Sequence, residues 1–270
     1  MYRLQIIGGG RMGEALLGGL IDGGWARDTL VVVEAVGARR DDLTARFDSV
    51  AIEARPQPAD GTVIAVKPGD VPAAVAAAVA AGSRRILSIA AGVRIDDLES
   101  AAGDGVRVIR AMPNTPALVG AGASAVAGGS TTDDDDLAWA ESILGAVGVV
   151  VRVTEAQLDA VTGLSGSGPA YVFLVAEALV EAGVLVGLPR DIATRLATQT
   201  LLGSARLLTE TDDAPAELRG AVTSPGGTTA AGLRALEAGG MRSTIIDAVV
   251  AATERSRQLG LDARRPADTR

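Results

Sequence analysis

The chain has 270 residues, of which 48% are hydrophobic but only 2% are aromatic, so one large or two ordinary domains can form around aliphatic cores. Its net charge of −8 disfavours binding to nucleic-acid phosphates. The sequence contains no cysteine and no histidine, which excludes disulfides, thiolate nucleophiles, histidine-based proton transfer and metal sites built on either residue.

No stretch of about eighteen uninterrupted apolar residues occurs, so we expect no membrane span and no membrane partner. The first residues turn from Arg3 directly into a glycine cluster, which does not resemble an export signal, and we expect a cytoplasmic location. Residues 133–136 are four consecutive acids. They suit the start of a helix, and no second ligand cluster accompanies them, so we expect no bound metal.

The first part of the chain alternates between short apolar runs and helical patterns. Strands are predicted at residues 4–7, 30–34, 62–66, 86–89, 106–109, 121–127 and 147–153, and helices or helical turns at residues 12–21, 39–47, 71–81, 96–101 and 133–144. This alternation predicts an α/β Rossmann-type doubly wound parallel sheet. After about residue 155 only helical patterns occur, at residues 171–186, 192–208, 228–238 and 244–259. We therefore predict two domains, residues 1–155 and residues 156–270, the second all-α.

A G-x-G-x-x-G pattern follows the first strand and opens the first helix, with glycines at Gly8, Gly10 and Gly13. Gly8 permits a tight turn, Gly10 permits close approach of a pyrophosphate, and Gly13 permits close packing of the helix on its strand. With Arg11 and Met12 between these glycines, the start of the helix supplies amide donors to the phosphates. The pattern predicts a dinucleotide site.

Glu34 ends the second strand, where a carboxylate accepts hydrogen bonds from an adenosine ribose and favours NADH. Arg39 and Arg40 follow closely and favour NADPH if they pair with a 2′-phosphate, or form a solvated helix face if they do not. The sequence leaves this choice open. We expect NADPH as the cofactor, with NADH as the alternative.

Two further segments end strands at the edge of the sheet where ligands bind. Residues 65–68 include Lys67, the only lysine in the chain, which Pro68 biases towards extended backbone. Residues 110–116 form a loop in which two prolines bracket Asn114 and Thr115. This loop is a candidate for lining the nicotinamide end of the site, or is a structural turn.

The stretch before the helix at residue 228 has the character of a carboxylate site. Ser224 is a candidate N-cap, with Pro225 in the first turn. Uncovered amides and short hydroxyls at a helix start bind anions. The predicted substrate-binding residues are Ser224, Gly226, Gly227, Thr228 and Thr229. Residues 165–170 form a second helix start whose small side chains permit close approach of a ligand or a partner chain.

Over essentially its full length the chain resembles the pyrroline-5-carboxylate reductase family. The matching segments are Gly8-Gly10-Met12-Gly13, residues 65–68, 90–93, 112–116 and 165–171, and above all residues 222–229 continuing to Leu233. The resemblance implies a Rossmann domain followed by a helical dimerisation domain, an active site built from both subunits, and assembly of dimers into larger rings. It also implies hydride transfer from NAD(P)H to the imine carbon, which yields proline.

In such enzymes the segment matching residues 224–229 holds the substrate carboxylate, and the hydroxyl matching Thr229 hydrogen-bonds the ring nitrogen. Thr229 and Ser224 are accordingly the predicted catalytic residues. The segments matching residues 65–68 and Ala91 contact the cofactor. The predicted cofactor-binding residues are Gly8, Gly10, Arg11, Met12, Gly13, Glu34, Ala65, Val66, Lys67, Pro68, Ala91 and Asn114.

The absence of histidine is compatible with this chemistry. A cyclic imine is basic enough to be protonated near neutral pH, so the protein needs positioning and electrostatics more than a strong acid. Two other interpretations remain: a β-hydroxyacid-type dehydrogenase, and a non-catalytic nucleotide-sensing binding protein. Dehydrogenases of the first type use a lysine on the helix that leads into the second domain, and residues 158–162 and 171–186 of this chain contain none. An assay of imine reduction distinguishes the second interpretation.

Overall fold

The computed structural model describes residues 1–262, which divide into two compact units. The first unit holds residues 1–167 and the end of the last helix from residue 250, and the second holds residues 168–249. The predicted helical domain extends to residue 270, so residues 263–270 of that prediction lie outside the described part of the chain.

The first unit is built on an eight-stranded sheet with the order β3-β2-β1-β4-β5-β6-β7-β8. The strands are β1 (Leu4–Ile7), β2 (Leu30–Val33), β3 (Ala51–Glu53), β4 (Thr62–Ile64), β5 (Arg85–Ser88), β6 (Arg107–Met112), β7 (Gly122–Gly128) and β8 (Gly148–Arg152). The chain moves outwards from β1 to β3 and then returns to place β4 on the other side of β1. Such a switch point opens a crevice at the carboxyl ends of the strands.

Helices cover both faces of this sheet, as the apolar strands predict. They are α1 (Arg11–Asp22), α2 (Gly37–Arg46), α3 (Val71–Ala80), α4 (Ile95–Ala102), α5 (Asp134–Leu144) and the short α6 (Leu158–Val161). Successive strand residues enter opposite cores: Ile6 belongs to the core that contains Leu16 of α1, and Ile7 to the core that contains Val75 of α3. The predicted Rossmann-type architecture is therefore confirmed.

Two features of the sheet correct the sequence prediction. Strands β6 and β7 pair antiparallel, so the sheet is not parallel throughout. The connection between them, residues 113–121, is too short for the crossover that a parallel return requires. The edge strand β3 was not predicted, because its three half-buried residues carry too short a pattern.

The four acids at residues 133–136 start helix α5, as predicted. Asp133 is the N-cap, and its Oδ1 accepts the amide of Asp136 at 2.9 Å. Asp136 is fully buried, with its Oδ1 2.7 Å from Arg85 Nε and 3.0 Å from Arg107 Nε. Within residues 1–262, no group of three or more acidic side chains is placed to hold a metal ion.

The second unit is helical. It contains α7 (Gly168–Leu185), α8 (Arg190–Glu210), α9 (Pro215–Ala221), α10 (Thr228–Ala238) and the first part of α11 (Met241–Asp262). Helix α9 was not predicted, because only a proline near a helix start marks it. Helices α7 and α8 pack closely, since a Cβ on Gly183 would lie 2.9 Å from the Cβ of Ala193.

Large apolar side chains remain exposed on these helices, among them Phe173, Leu174, Leu196, Leu202 and Ile246. Within the described residues, the helical stretch Glu155–Leu185 is long and apolar enough to cross a membrane, judged by length and composition alone, and none of its most apolar window is buried in the chain. Extended exposed apolar surface marks a place where another molecule packs.

Candidate active site

The glycine loop lies at the switch point, between β1 and α1. Gly8 has a φ of +109°, and its amide donates to the carbonyl of Val33 at 2.8 Å. A Cβ on Gly8 would lie 2.5 Å from the carbonyl oxygen of Ala65, and a Cβ on Gly13 would overlap the carbonyl oxygen of Gly8. Both positions therefore require glycine, for the tight turn and the close packing that the motif predicts.

Gly10 is placed differently, because no atom lies within 4 Å of the position a Cβ would take. It is the exposed N-cap residue of α1. The amides of Arg11, Met12 and Gly13 form the first helical turn, where intrahelical acceptors are missing. Open space over amide donors at the positive end of a helix fits the pyrophosphate of a dinucleotide.

The Gly9 peptide is held from two sides by charged side chains. Its amide donates to Glu34 Oε2 at 3.0 Å, and its carbonyl accepts from Arg39 Nε at 2.7 Å. Arg39 also pairs with Glu14 and Asp42. The hydrogen bond to Glu14 raises the pKa of the Arg39 guanidinium above its ordinary value. These contacts fix the shape of the loop.

The segment after β4 has the predicted geometry. Lys67 is exposed and has extended backbone, with φ −63° and ψ 151°, and Pro68 begins a short 3₁₀ turn. Ala65 and Val66 are half-buried before it. Lys67 is therefore accessible at the carboxyl edge of the sheet.

A cavity of about 820 Å³ opens beside this segment in the first unit. It brings Pro68 and Ala91 together with Ser167 and with Arg255 and Ser256 of α11. Three separate segments singled out in the sequence thus share one cavity. Arg255 and Ser256 were not predicted, because the last helix carries no ligand-type motif.

Asn114 has a structural role within the first unit. Its Nδ2 donates to the carbonyl of Ser165 at 3.0 Å, and its Oδ1 accepts the amide of Ala123 at 2.8 Å. Ser165 lies in a π-helical turn, Thr162–Gly166, a conformation often found at functional sites. The buried Asn114 side chain therefore ties the loop after β6 to the turn that precedes α7.

The predicted carboxylate site lies in the second unit, between α9 and α10. Pro225 and Gly226 form the centre of a turn in which the amide of Gly227 donates to the carbonyl of Ser224 at 3.0 Å. Gly226 has a φ of +72°, as a type II turn requires at this position. The turn delivers the chain into α10 at Thr228.

One detail of this loop was predicted wrongly: Ser224 is not the N-cap of the helix. The N-cap is Gly227, and no side chain caps the helix. The hydroxyl of Ser224 lies so close to Gly227 that a Cβ there would overlap it. The first intrahelical bond joins the amide of Ala231 to the carbonyl of Gly227, so the amides of Thr228 and Thr229 are left to other acceptors.

The sequence matches two family models. Residues 155–259 match the model described as pyrroline-5-carboxylate reductase dimerisation, and residues 3–92 match the model described as NADP oxidoreductase, coenzyme F420-dependent. A pyrroline-5-carboxylate reductase from Synechocystis sp. is 49% identical over 265 residues, which cover 96% of this chain and 98% of the relative.

Solved structures show the same likeness. A pyrroline-5-carboxylate reductase from Coxiella burnetii superposes with a TM-score of 0.90 at 37% identity, covering 96% of this chain and 98% of the other. The pyrroline carboxylate reductase of Plasmodium falciparum with NADP bound superposes with a TM-score of 0.82 at 29% identity and the same coverage. The similarity thus extends through both the sheet and the helices.

Proposed function

The chain belongs to the pyrroline-5-carboxylate reductase family, and from that premise we propose how its residues serve the reaction. It is an NAD(P)H-dependent oxidoreductase that reduces the imine of pyrroline-5-carboxylate to give proline. The observation that carries our assignment of residues is the open start of α10, where the turn at residues 224–227 leaves the first amides of the helix uncovered.

The cofactor's pyrophosphate binds over Gly10 and the amides of Arg11, Met12 and Gly13. The open space at Gly10 and the helix start behind it support this placement. Bound NAD(P)H supplies the hydride that reduces the imine carbon. The residues proposed for the nicotinamide end of the site are Ala65, Val66, Lys67, Pro68, Ala91 and Asn114. Asn114 acts there by holding the loop in place, since its side chain bonds to backbone.

The turn and the start of α10 bind the substrate carboxylate. Gly226 and Gly227 keep the approach clear of side chains, and the amides and hydroxyls of Thr228 and Thr229 donate to the carboxylate oxygens. The hydroxyl of Ser224 lies beside Gly227 and adds a further donor. A neutral site of this kind binds an acid through directed dipoles and needs no cation.

Thr229 orients the ring nitrogen, because its hydroxyl both donates and accepts hydrogen bonds. The substrate nitrogen is already basic enough to carry a proton near neutral pH, so the residues hold a reactive iminium in position and need not generate it. Positioning of this kind accounts for catalysis without histidine.

The chain carries a dimerisation domain, and we propose that residues 156–270 form a homodimer through their helices, with dimers assembling into larger rings. The exposed apolar side chains on α7, α8 and α11 support this, because pairing with a second copy removes them from water. The proposed domain boundary follows the last strand, which ends at Arg152. We place the enzyme in the cytoplasm and expect no membrane or nucleic-acid partner.

A direct assay tests the assignment. Purified protein is mixed with pyrroline-5-carboxylate and NADH or NADPH, cofactor oxidation is followed, and proline is identified as the product. A parallel reaction with a β-hydroxyacid and NAD+ or NADP+, in which reduction of the cofactor is followed, serves as the control and should show no turnover. Reduction of NAD(P)+ by the hydroxyacid without any reduction of the imine would instead support the dehydrogenase, and cofactor binding without any turnover would support the nucleotide-sensing protein. Light scattering on the same sample measures the assembly.

A further inference from the structure

The carboxylate of Glu34 is fixed at the carboxyl end of β2, beside the glycine loop. Its Oε2 accepts the amide of Gly9 at 3.0 Å, and its Oε1 accepts the amide of Val36 at 2.8 Å. Both donors belong to the backbone, so the position of the carboxylate does not depend on the conformation of neighbouring side chains. Its remaining lone pairs are available to a ligand, because each carboxylate oxygen accepts more than one hydrogen bond.

The two arginines that follow Glu34 are already engaged. Arg39 donates to the carbonyl of Gly9 and pairs with the carboxylates of Glu14 and Asp42. Arg40 donates through its Nη1 to the carbonyl of Glu34 at 2.9 Å and to the carbonyl of Ala35 at 2.8 Å. To bind a 2′-phosphate, Arg39 would have to leave two carboxylates, and both would remain near the incoming anion.

In this type of fold, a carboxylate at the end of the second strand meets the adenosine ribose of a dinucleotide. A ribose diol donates hydrogen bonds to it, and bonds to an ionised acceptor are among the stronger ones. A 2′-phosphate offers only acceptors and negative charge. We infer that Glu34 makes this chain bind NADH more tightly than NADPH. The inference rests on the proposed placement of the dinucleotide on residues 8–13.

Equilibrium binding tests the inference without any turnover. Isothermal titration calorimetry of the purified protein with NADH and with NADPH, in the absence of substrate, should give a Kd about tenfold lower for NADH, since a tenfold ratio corresponds to one charge-assisted hydrogen bond gained or lost. Equal affinities, or tighter binding of NADPH, would overturn the inference and leave the proposed function intact. Failure to bind either nucleotide would overturn the placement and the inference together.

Two test variants and one control identify the residue responsible. Glu34→Gln keeps an acceptor for one backbone amide but removes the charge, and it should reduce the NADH preference about tenfold. Asp41→Asn, which neutralises an exposed acid on α2, is the matched control and should preserve the preference. Arg40→Ala should change the NADPH affinity by no more than about twofold, because its Nη1 already donates to two backbone carbonyls. A tenfold loss of NADPH affinity in Arg40→Ala would show instead that this arginine binds the 2′-phosphate, and would overturn the inference even if Glu34→Gln does not fold.

Discussion

The buried guanidinium of Arg110 donates to Glu155 Oε1 at 3.0 Å, within the first unit and beside the boundary proposed for the helical domain. The same carboxylate oxygen accepts the amide of Ile95, the first residue of α4, at 2.7 Å. One side chain at the start of the helical region therefore holds the end of β6 and the start of α4.

Replacing Glu155 should destabilise the protein through this pair. Glu155→Ala leaves a buried guanidinium and a helix-start amide without their acceptor, and the free energy of unfolding should fall by about 1–3 kcal/mol. Glu155→Gln keeps a carbonyl acceptor and should lose less. Urea unfolding of both variants at fixed protein concentration measures the difference. Equal losses for the two variants would mean that the charge alone matters, and no loss in Glu155→Ala would refute the proposed contribution of the pair.

Substitutions at two glycines of the nucleotide loop should have different effects, one on stability and the other on cofactor binding. Gly13→Ala forces a Cβ into the carbonyl of Gly8, so we expect a loss of about 1–3 kcal/mol in unfolding free energy. Gly10→Ala meets no atom and keeps φ near −67°, so the fold should remain stable. Its methyl group instead occupies the space assigned to the pyrophosphate, and NAD(P)H affinity should fall about tenfold or more. Thermal unfolding and calorimetric titration of each variant test both statements, and unchanged binding in Gly10→Ala would refute the placement.

Thr229 should influence turnover more than cofactor binding. Thr229→Ala removes the hydroxyl proposed to orient the ring nitrogen, and kcat should fall about 10- to 100-fold with little change in the Kd for NAD(P)H. Thr229→Ser retains the hydroxyl and is the matched control, from which we expect most of the activity. Steady-state kinetics with both variants checks this. If kcat in Thr229→Ala equals that of the unchanged protein, Thr229 has no part in the mechanism.

The cap of α5 should make stability depend on acidity. The hydrogen bond from the Asp136 amide holds the pKa of the Asp133 carboxyl below its ordinary value. A carboxyl with a lowered folded pKa contributes stability above its unfolded pKa, and that contribution is lost as the pH falls through the folded pKa. The unfolding midpoint of the unchanged protein should therefore fall as the pH is lowered from about 5 to about 2. Asp133→Asn also caps a helix but does not titrate, so its decrease should be smaller.

A neighbouring acid provides the control for this pH series. Asp135→Asn neutralises a first-turn residue of the same helix that is not the N-cap. The unfolding midpoint of this variant should fall with decreasing pH as much as that of the unchanged protein. If Asp133→Asn and Asp135→Asn follow the same curve, the cap is not the source of the pH dependence.

Local patterns in the sequence predict most of the fold and the outline of the site. The alternation of apolar runs and helical patterns predicts the strands and helices, because hydrophobic periodicity is a property of neighbouring residues. Gly8 and Gly13 are recognisable for the same reason, since the G-x-G-x-x-G spacing between a strand and a helix is a local pattern. Pro225 and Gly226 likewise predict the turn at residues 224–227. The N-cap of the helix is Gly227, however, and not Ser224 as predicted.

Tertiary structure alone decides which distant groups meet. Strand β7 turns antiparallel because its connection is short, Asp136 is buried between arginines of two different strands, and Arg255 of the last helix joins the cavity beside Pro68. The sequence by itself determined most of the strands and helices and the family resemblance, whereas the orientation of Glu34 and Asn114 towards backbone depends on strand register and packing. Strand register and packing depend on contacts between residues tens of positions apart, for which no local pattern exists.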